Sequence, residues 1–552
     1  MDQPRIETCL KKRSAPYHLE TDDFLLDYSR QNITDETLEN FTKTFKNNTH
    51  KQVLSLFSGE KVNFTEKRKV LHYLNRWPLD DSQNLSEWMS HPMVGKGDSK
   101  ADLLKDYNQI QKVSKKVSNF IDLVRNGEFK LASGKTVKDV VSVGIGGSFL
   151  GTKSVYEALK SHPKYKALSG ERHLHFIANV DPMSVYKVMS SVDIESTLVI
   201  IISKSFTTQE TLQNMDLTLK WMLKYYSDKK SDLTKEKILN GHFAVVTANG
   251  EKAMKRNISE ENIFGMFDHT GGRFSVSSAV GTLPLGLMFG NETISEFLSG
   301  MHKMDKAFFG FEEDENAKRV NQCLKNNASA LLGFIDFFQI NSQKYTSKAI
   351  VPYNDELGSI VGHLQQLEME SSGKDKNNTK EKHSASQVIF GDLGTNAQHS
   401  FFQLLHQSEL KVPVDFIGFC KPQMDINDFI LGDNQAKDKI YNCFMANMLA
   451  QIDALAFGKE NKDEPHRNFE GDRPSTVLLF NKSLGAKEVG ELLAMYEHRV
   501  TTKGMLAGVN SFDQFGVQLG KVMCKKLLAK LDGGEGKLEG ESVVTNYYLK
   551  HK

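Results

Sequence analysis

Apolar residues fall in short blocks, each the length of one buried strand: Val140–Val143, His173–Ala178, Thr197–Ile202 and Phe243–Thr247. Each gap between them is long enough for a crossover helix. Near-continuous apolar runs alternating with helical stretches predict parallel strands covered on both faces. A second set follows at Lys348–Tyr353, Gln387–Phe390, Val414–Phe419 and Thr476–Phe480, again with helical material between. The economical reading is an α/β protein with two doubly wound units. The opening hundred residues lack such blocks and read as helices and loops that wrap one of the sheets, with breaks at Trp77-Pro78 and around Gly95–Asp98. Ser372–Ser386 is rich in Lys, Asn and Ser and is expected to be a solvated, mobile insertion.

A chain of 552 residues is long enough for two or three cores. The 70 basic and 69 acidic side chains leave a formal charge of +1, which argues against nucleic acid or an anionic membrane as partner. An anionic ligand must therefore be held by local groups. Cys9, Cys323, Cys420, Cys443 and Cys524 are scattered, with no C-x-x-C pair, which points away from disulfides and a zinc site and toward a reducing cytoplasm. No metal or cofactor is expected, and neither a signal peptide nor a membrane span is legible.

Ser203-Lys-Ser-Phe-Thr-Thr-Gln-Glu-Thr211 follows directly on the Thr197–Ile202 block, so a buried strand feeds a hydroxyl-lined turn and then a helix. Ser203, Ser205, Thr207 and Thr208, with Lys204, crowd the helix start, where unpaired amides and the dipole favour a phosphate. Thr207-x-x-Glu210 matches a capping box. An ordinary Ser/Thr-rich helix cap is the plain alternative.

Gly144-Ile-Gly-Gly-Ser148 is a strand-to-turn passage that lets a ligand approach the backbone at Gly147 and Ser148. It matches neither the dinucleotide fingerprint, since Phe149 occupies the third glycine's place, nor a Walker loop, since Thr152 precedes Lys153-Ser154. A simple tight turn is the competing reading. Gly271-Gly-Arg273 sets a guanidinium after two glycines, suited to a developing oxyanion. Gln366 and Glu370 lie four apart, on one face of a helix, as an amide and a candidate base; Glu368 serves equally on spacing alone. His399 is expected near a helix start at the carboxyl end of a sheet, where it could exchange a proton. Gln514 and Lys521, seven apart, share a helical face, although most such lysines are solvated.

Taken together these motifs resemble the glucose-6-phosphate isomerase family, also called phosphoglucose isomerase. The resemblance also rests on Phe57-Ser-Gly-Glu-Lys-Val-Asn-Phe-Thr-Glu66, Gly394-Thr-Asn-Ala-Gln-His399, Phe469-Glu-Gly-Asp-Arg-Pro474, Ala494-Met-Tyr-Glu-His498 and Ser511-Phe-Asp-Gln-Phe-Gly-Val517. It implies reversible aldose–ketose isomerisation of glucose 6-phosphate and fructose 6-phosphate through a cis-enediol, without metal or cofactor. It assigns Gly147, Ser148, Ser203, Ser205 and Thr208, with the backbone at Lys204, to the phosphate, and Gln366 and Gln514 to the sugar. Glu370 becomes the base, Arg273 the stabiliser of the enediolate, and Lys521 with His399 the ring-opening pair. It further implies a homodimer with His399 contributed to the partner's site, and two sugar-isomerase (SIS) domains with parallel sheets. Their expected bounds are 102–286 and 287–510, after an N-terminal helical extension (1–101) and before a C-terminal helical arm (511–552). Phe149, Thr270, Leu393, Ala397 and Gln518 depart from the family pattern. A phosphosugar-binding regulator, and an isomerase for mannose 6-phosphate or an amino-sugar phosphate, are the rival readings.

Overall fold

The computed structural model describes residues 4–15, 17–77, 98–310, 327–374, 383–424, 434–531 and 542–552. The chain divides into two compact units, Met1–Ser511 and Phe512–Lys552. The larger unit holds both sheets.

The first sheet comprises β3 (Asp139–Val143), β4 (His173–Ile177), β5 (Thr197–Ile202), β6 (Phe243–Thr247) and β7 (Ile263–Gly265), in the order β4-β3-β5-β6-β7 and parallel throughout. Val141, Val143, Val199, Ile201 and Val245 pack beneath helices Pro182–Met189, Gln209–Asp228 and Lys235–His242 in one hydrophobic cluster. The β-branched blocks form strands because both faces are covered, so every position of β5 is buried. The chain runs from β3 outward to β4 and then returns across β3 to β5, so the order reverses between β3 and β5. In such sheets the crevice beyond the carboxyl ends at that reversal is the natural ligand site.

The second sheet places β8 (Ser347–Pro352), β9 (Val388–Gly391), β10 (Val414–Phe419) and β11 (Ser475–Phe480) in the order β11-β10-β8-β9, with the same reversal. Contrary to the strand-free reading of the opening hundred residues, β1 (His18–Glu20) and β2 (Phe24–Asp27) extend this sheet, β2 running antiparallel to β11. Strands of three and four residues carry too little alternation to stand out in a sequence. Of the two expected breaks, Pro78 lies outside the described residues, and Gly95–Asp98 falls in a stretch of which only Asp98, the first residue of a helix, lies among them. Of the expected solvated insertion, 375–382 lie outside the described residues, while Ser372 and Ala385 at its flanks are buried.

Helix Ala486–Ala507 runs through the interior with almost every residue buried, including Glu491, Glu497, His498, Arg499 and Lys503. Its charges are matched by partners on other elements. Asp23 receives Lys487 at 2.9 Å and Lys482 at 3.1 Å, and also pairs with Lys303. Burial opposes the charge on Asp23, but these ammonium groups outweigh it and hold the carboxyl well below the usual range.

Glu491 is in the reverse position: burial, reinforced by the nearby Asp23 charge, pushes it from 4.5 up to about 7. A carboxyl raised in the folded state contributes stability that is full below about 4.5 and is lost as pH rises through about 7. Glu491→Gln is therefore expected to raise the thermal midpoint over wild type at pH 8, with the difference closing by pH 5. An equal difference at both pH values contradicts this account.

Candidate functional site

Three turns and one helix converge at the reversal of the first sheet. β3 ends in Gly144-Ile-Gly-Gly-Ser148, whose last three residues form one 3-10 turn. Gly146 has a φ of +58°, and a methyl placed on it would fall 3.1 Å from Gln366 Nε2. A methyl on Gly147 would lie 2.2 Å from the carbonyl carbon of Gly272, so this turn and Gly271-Gly-Arg273 meet backbone to backbone. Ser275 Oγ stitches them, with Gly147 O and Gly272 O at 3.3 and 2.7 Å. Ser148 is half-buried on this turn.

β5, next to β3, delivers the hydroxyl-rich turn. Ser203 is buried, and its hydroxyl donates to Thr208 Oγ1 at 3.2 Å, while Ser205 and Thr207 share a hydrogen bond of 2.6 Å. The amides of Lys204, Ser205, Thr207 and Thr208 have no acceptor among the described residues. The buried Phe206 holds a φ of +49°, a conformation costly for a bulky residue, and its ring is anchored in the core under the first sheet. The turn is thus fixed in shape with amides and hydroxyls left to face a ligand.

Two expectations about this turn are corrected. The helix starts at Gln209 with Thr208 as N-cap, and no side chain caps it, so Thr207-x-x-Glu210 forms no capping box. The Thr207 hydroxyl is engaged with Ser205 instead. The Lys204 ammonium is drawn to the carbonyls of Asp268 and Thr270, at 2.9 and 3.1 Å, and only its backbone remains for an anion. Burial lowers its pKa. This lysine ties the hydroxyl turn to the arginine turn.

Arg273 is buried and held on three sides. Nε donates to Ser371 Oγ at 2.6 Å, Nη1 to Glu370 Oε2 at 3.1 Å and Nη2 to Ser511 O at 2.5 Å. Glu370 lies on helix Ile360–Ser372 with Gln366, whose Nε2 donates to the same Oε2 at 3.2 Å. The four-residue spacing thus does bring amide and carboxylate together, and the Glu370 side chain keeps 19% of its exposure. Glu368 faces the opposite side of the helix, buried against Lys503 at 2.5 Å, which separates two glutamates that spacing alone could not.

Ser371, the hydroxyl that orients Arg273, went unrecognised in the sequence although it directly follows Glu370. A residue that reaches its partner 98 positions away leaves no local pattern.

His399 is exposed; it caps the carboxyl end of the short helix Gly394–Gln398 after β9 and lies three residues ahead of the helix Phe402–Gln407. Gln514 and Lys521 belong to the smaller unit. Gln514 lies outside the helix, ahead of a 3-10 turn at Phe515–Val517, and Lys521 lies on the helix Gln518–Leu531, so the two do not share a helical face. The 3-10 turn interrupts the periodicity on which that reading depended. Among the described residues no group of three or more His, Cys, Asp or Glu is placed to hold a metal ion, and no helix is long and apolar enough to cross a membrane.

Comparison with known proteins adds independent observations. The family model described as phosphoglucose isomerase matches residues 27–546. A rice protein (Oryza sativa subsp. japonica) named glucose-6-phosphate isomerase, cytosolic A, is 36% identical over 552 residues, covering 98% of this chain and 89% of its own length. The cytosolic glucose-6-phosphate isomerase of Arabidopsis thaliana is 36% identical, covering 93% and 86%. The crystal structure of a glucose-6-phosphate isomerase from Chlamydia trachomatis superposes with a TM-score of 0.78 at 28% identity, covering all of this chain and 96% of that one. A hypothetical protein from Thermus thermophilus shares the fold, with a TM-score of 0.57 at 23% identity.

Proposed function

We infer, since this chain belongs to the phosphoglucose isomerase family, that it interconverts D-glucose 6-phosphate and D-fructose 6-phosphate in the cytosol, with Glu370 as the proton carrier. The observation that supports this most is the cluster Glu370–Arg273–Gln366 standing against the glycine turn of β3, beside the hydroxyl turn of β5. The base, a fixed cation and an anion cradle thus share one crevice.

In this reading the phosphate is held by the hydroxyls of Ser148, Ser203, Ser205 and Thr208 and by amides at Gly147 and Lys204. Lys521 and His399 open the ring by moving a proton from the C1 hydroxyl to the ring oxygen. Gln366 and Gln514 line the open sugar. Glu370 then takes the proton from C2, the C–H electron pair becomes the C1–C2 double bond, and the carbonyl oxygen gains negative charge. O1 takes up a proton as the C2 hydroxyl gives one up, and a proton returned to C1 while the C2–O bond becomes the carbonyl completes the ketose, so substrate and product have the same atoms. Charge develops on oxygen, and a guanidinium already locked in place by Ser371 and Ser511 stabilises it without reorganisation. The anchored phosphate holds C1 and C2 under the carboxylate.

The exposed His399 would enter the site of a second copy in a homodimer. We retain the division into an N-terminal extension (1–101), two sugar-isomerase domains (102–286 and 287–510) and a C-terminal arm (511–552) as part of this proposal.

The test is conversion of fructose 6-phosphate by the purified protein, coupled to glucose-6-phosphate dehydrogenase. Turnover is expected without added metal and unchanged by chelator. A protein that binds the sugar phosphate without turnover would point to the regulator instead, and preference for mannose 6-phosphate to the other isomerase.

A further inference from the structure

None of the residues assigned to the substrate comes from Phe57–Glu66, yet the end of that segment reaches Arg273 in two steps. Asn63 and Arg68 exchange backbone hydrogen bonds of 3.2 and 3.1 Å, closing a tight loop. Within it the amide nitrogen of the buried Asn63 donates to Glu66 Oε2 at 2.7 Å, which fixes Asn63 Oδ1 as the acceptor end of that side chain. The Thr65 hydroxyl and the Glu66 amide both donate to this oxygen, at 3.3 and 3.2 Å.

Asn510 joins this loop from 447 positions further along the chain. It is buried in the turn after helix Ala486–Ala507, where Gly508 holds a φ of +67° and Val509 N donates to Gly504 O at 2.8 Å. Its Nδ2 donates to Asn63 Oδ1 at 2.9 Å and to Thr65 Oγ1 at 2.7 Å. Its carbonyl accepts from Lys374, just beyond the helix that carries Glu370. The next residue, Ser511, packs on bare backbone, since a methyl on Gly504 would fall 2.0 Å from Ser511 Oγ. The Ser511 carbonyl is the one that accepts from Arg273 Nη2 at 2.5 Å. With Asn510 tied at its side chain and at its carbonyl, Ser511 has little freedom to shift.

We propose that Asn510 is a positioning residue for the isomerisation: anchored on Asn63 and Thr65, it holds the Ser511 carbonyl against Arg273 Nη2 and so fixes the angle of the guanidinium that meets the developing enediolate. A guanidinium free to tilt must be reoriented during the reaction step, and the advantage of a preorganised charge is lost. Asn510 touches neither substrate nor reacting atoms; it acts through Ser511 and Arg273. The inference rests on the assignment of Arg273 as the stabiliser of the enediolate.

The test is a double-mutant cycle read by steady-state kinetics with fructose 6-phosphate. Asn510→Ala is expected to lower kcat about tenfold, the effect of one misplaced hydrogen bond to a charged group. KM should stay within about twofold, because the hydroxyl turn is untouched. Should that variant not fold, Thr65→Val removes one of the two acceptors of Asn510 and should lower kcat about threefold. Thr65→Ser, which keeps the hydroxyl, should match wild type. In an Arg273→Lys background, which lacks the Nη2 contact, neither Asn510→Ala nor Thr65→Val should lower kcat further. An unchanged kcat, a change in KM alone, or the same factor in both backgrounds overturns the proposal while leaving the isomerase reading intact. A wild-type protein without isomerase activity overturns the isomerase reading itself, and this inference with it.

Discussion

Glu370→Gln is expected to fold like the wild type and to isomerise sugar phosphate about 10² to 10⁴ times more slowly, the range that a positioned general base supplies. The substitution keeps the side chain's size and one oxygen within reach of Arg273 Nη1, so the cluster with Gln366 retains its shape. Only the capacity to take a proton is removed. Sugar-phosphate affinity should be nearly unchanged, because the hydroxyl and amide groups of Ser203–Thr208 are untouched. Glu368→Gln is the matched control. Its carboxylate is buried against Lys503 and has Arg499 at 3.9 Å, so this change should lower stability and spare turnover per folded molecule. Equal loss of turnover in the two variants would mean that the helix face has been assigned wrongly.

Arg499→Met is expected to destabilise the larger unit by about 3–5 kcal/mol, the cost of stranding a buried charge. Arg499 grips Asp336 with two nitrogens at 2.6 and 2.7 Å and Asp415 with the third at 2.5 Å. Lys348 and Lys503 complete a cluster in which three cations, Arg499 included, meet the three carboxylates of Asp336, Asp415 and Glu368. Removing Arg499 leaves three anions facing two cations, all out of water. The cluster joins helix Ala328–Asn341, strands β8 and β10 and helices Ile360–Ser372 and Ala486–Ala507, so its loss loosens the support beneath the Glu370 helix. Chemical denaturation should show an early transition in this variant. Arg499→Lys should fall between the two, since an ammonium keeps the charge but cannot reproduce the paired contact with Asp336. A denaturation midpoint equal to wild type would show that the cluster contributes little.

How far the sequence reveals this protein follows from the range of each signal. All eight apolar blocks of the two doubly wound units become strands; in central strands such as β5 and β6 the continuous β-branched run reflects burial on both faces, which is a local property. Strand β7, three residues at a sheet edge, and the β1–β2 hairpin are too short to carry that signal. Within the site, the Gln366–Glu370 pairing was legible from helical spacing, and the placement of Arg273 from the glycines before it. The choice between Glu368 and Glu370 was not, since both sit within one turn and only the neighbours from helix Ala486–Ala507 tell them apart. The same limit applies to Lys204. A lysine in a hydroxyl-rich turn reads as an anion ligand until the carbonyls of Asp268 and Thr270, more than sixty positions away, prove to hold it. Local competition defeated the capping box, as the Thr207 hydroxyl found Ser205 before it could reach the helix.

Glucose 6-phosphate deuterated at C2 tests most directly whether one carboxylate carries the hydrogen. A base that shuttles a proton between neighbouring carbons in a crevice open to solvent loses part of its load, so wild-type turnover should release some deuterium to water and show a primary isotope effect. In Glu370→Gln both release and turnover should fall together. Release that proceeds undiminished without the Glu370 carboxylate would contradict the account.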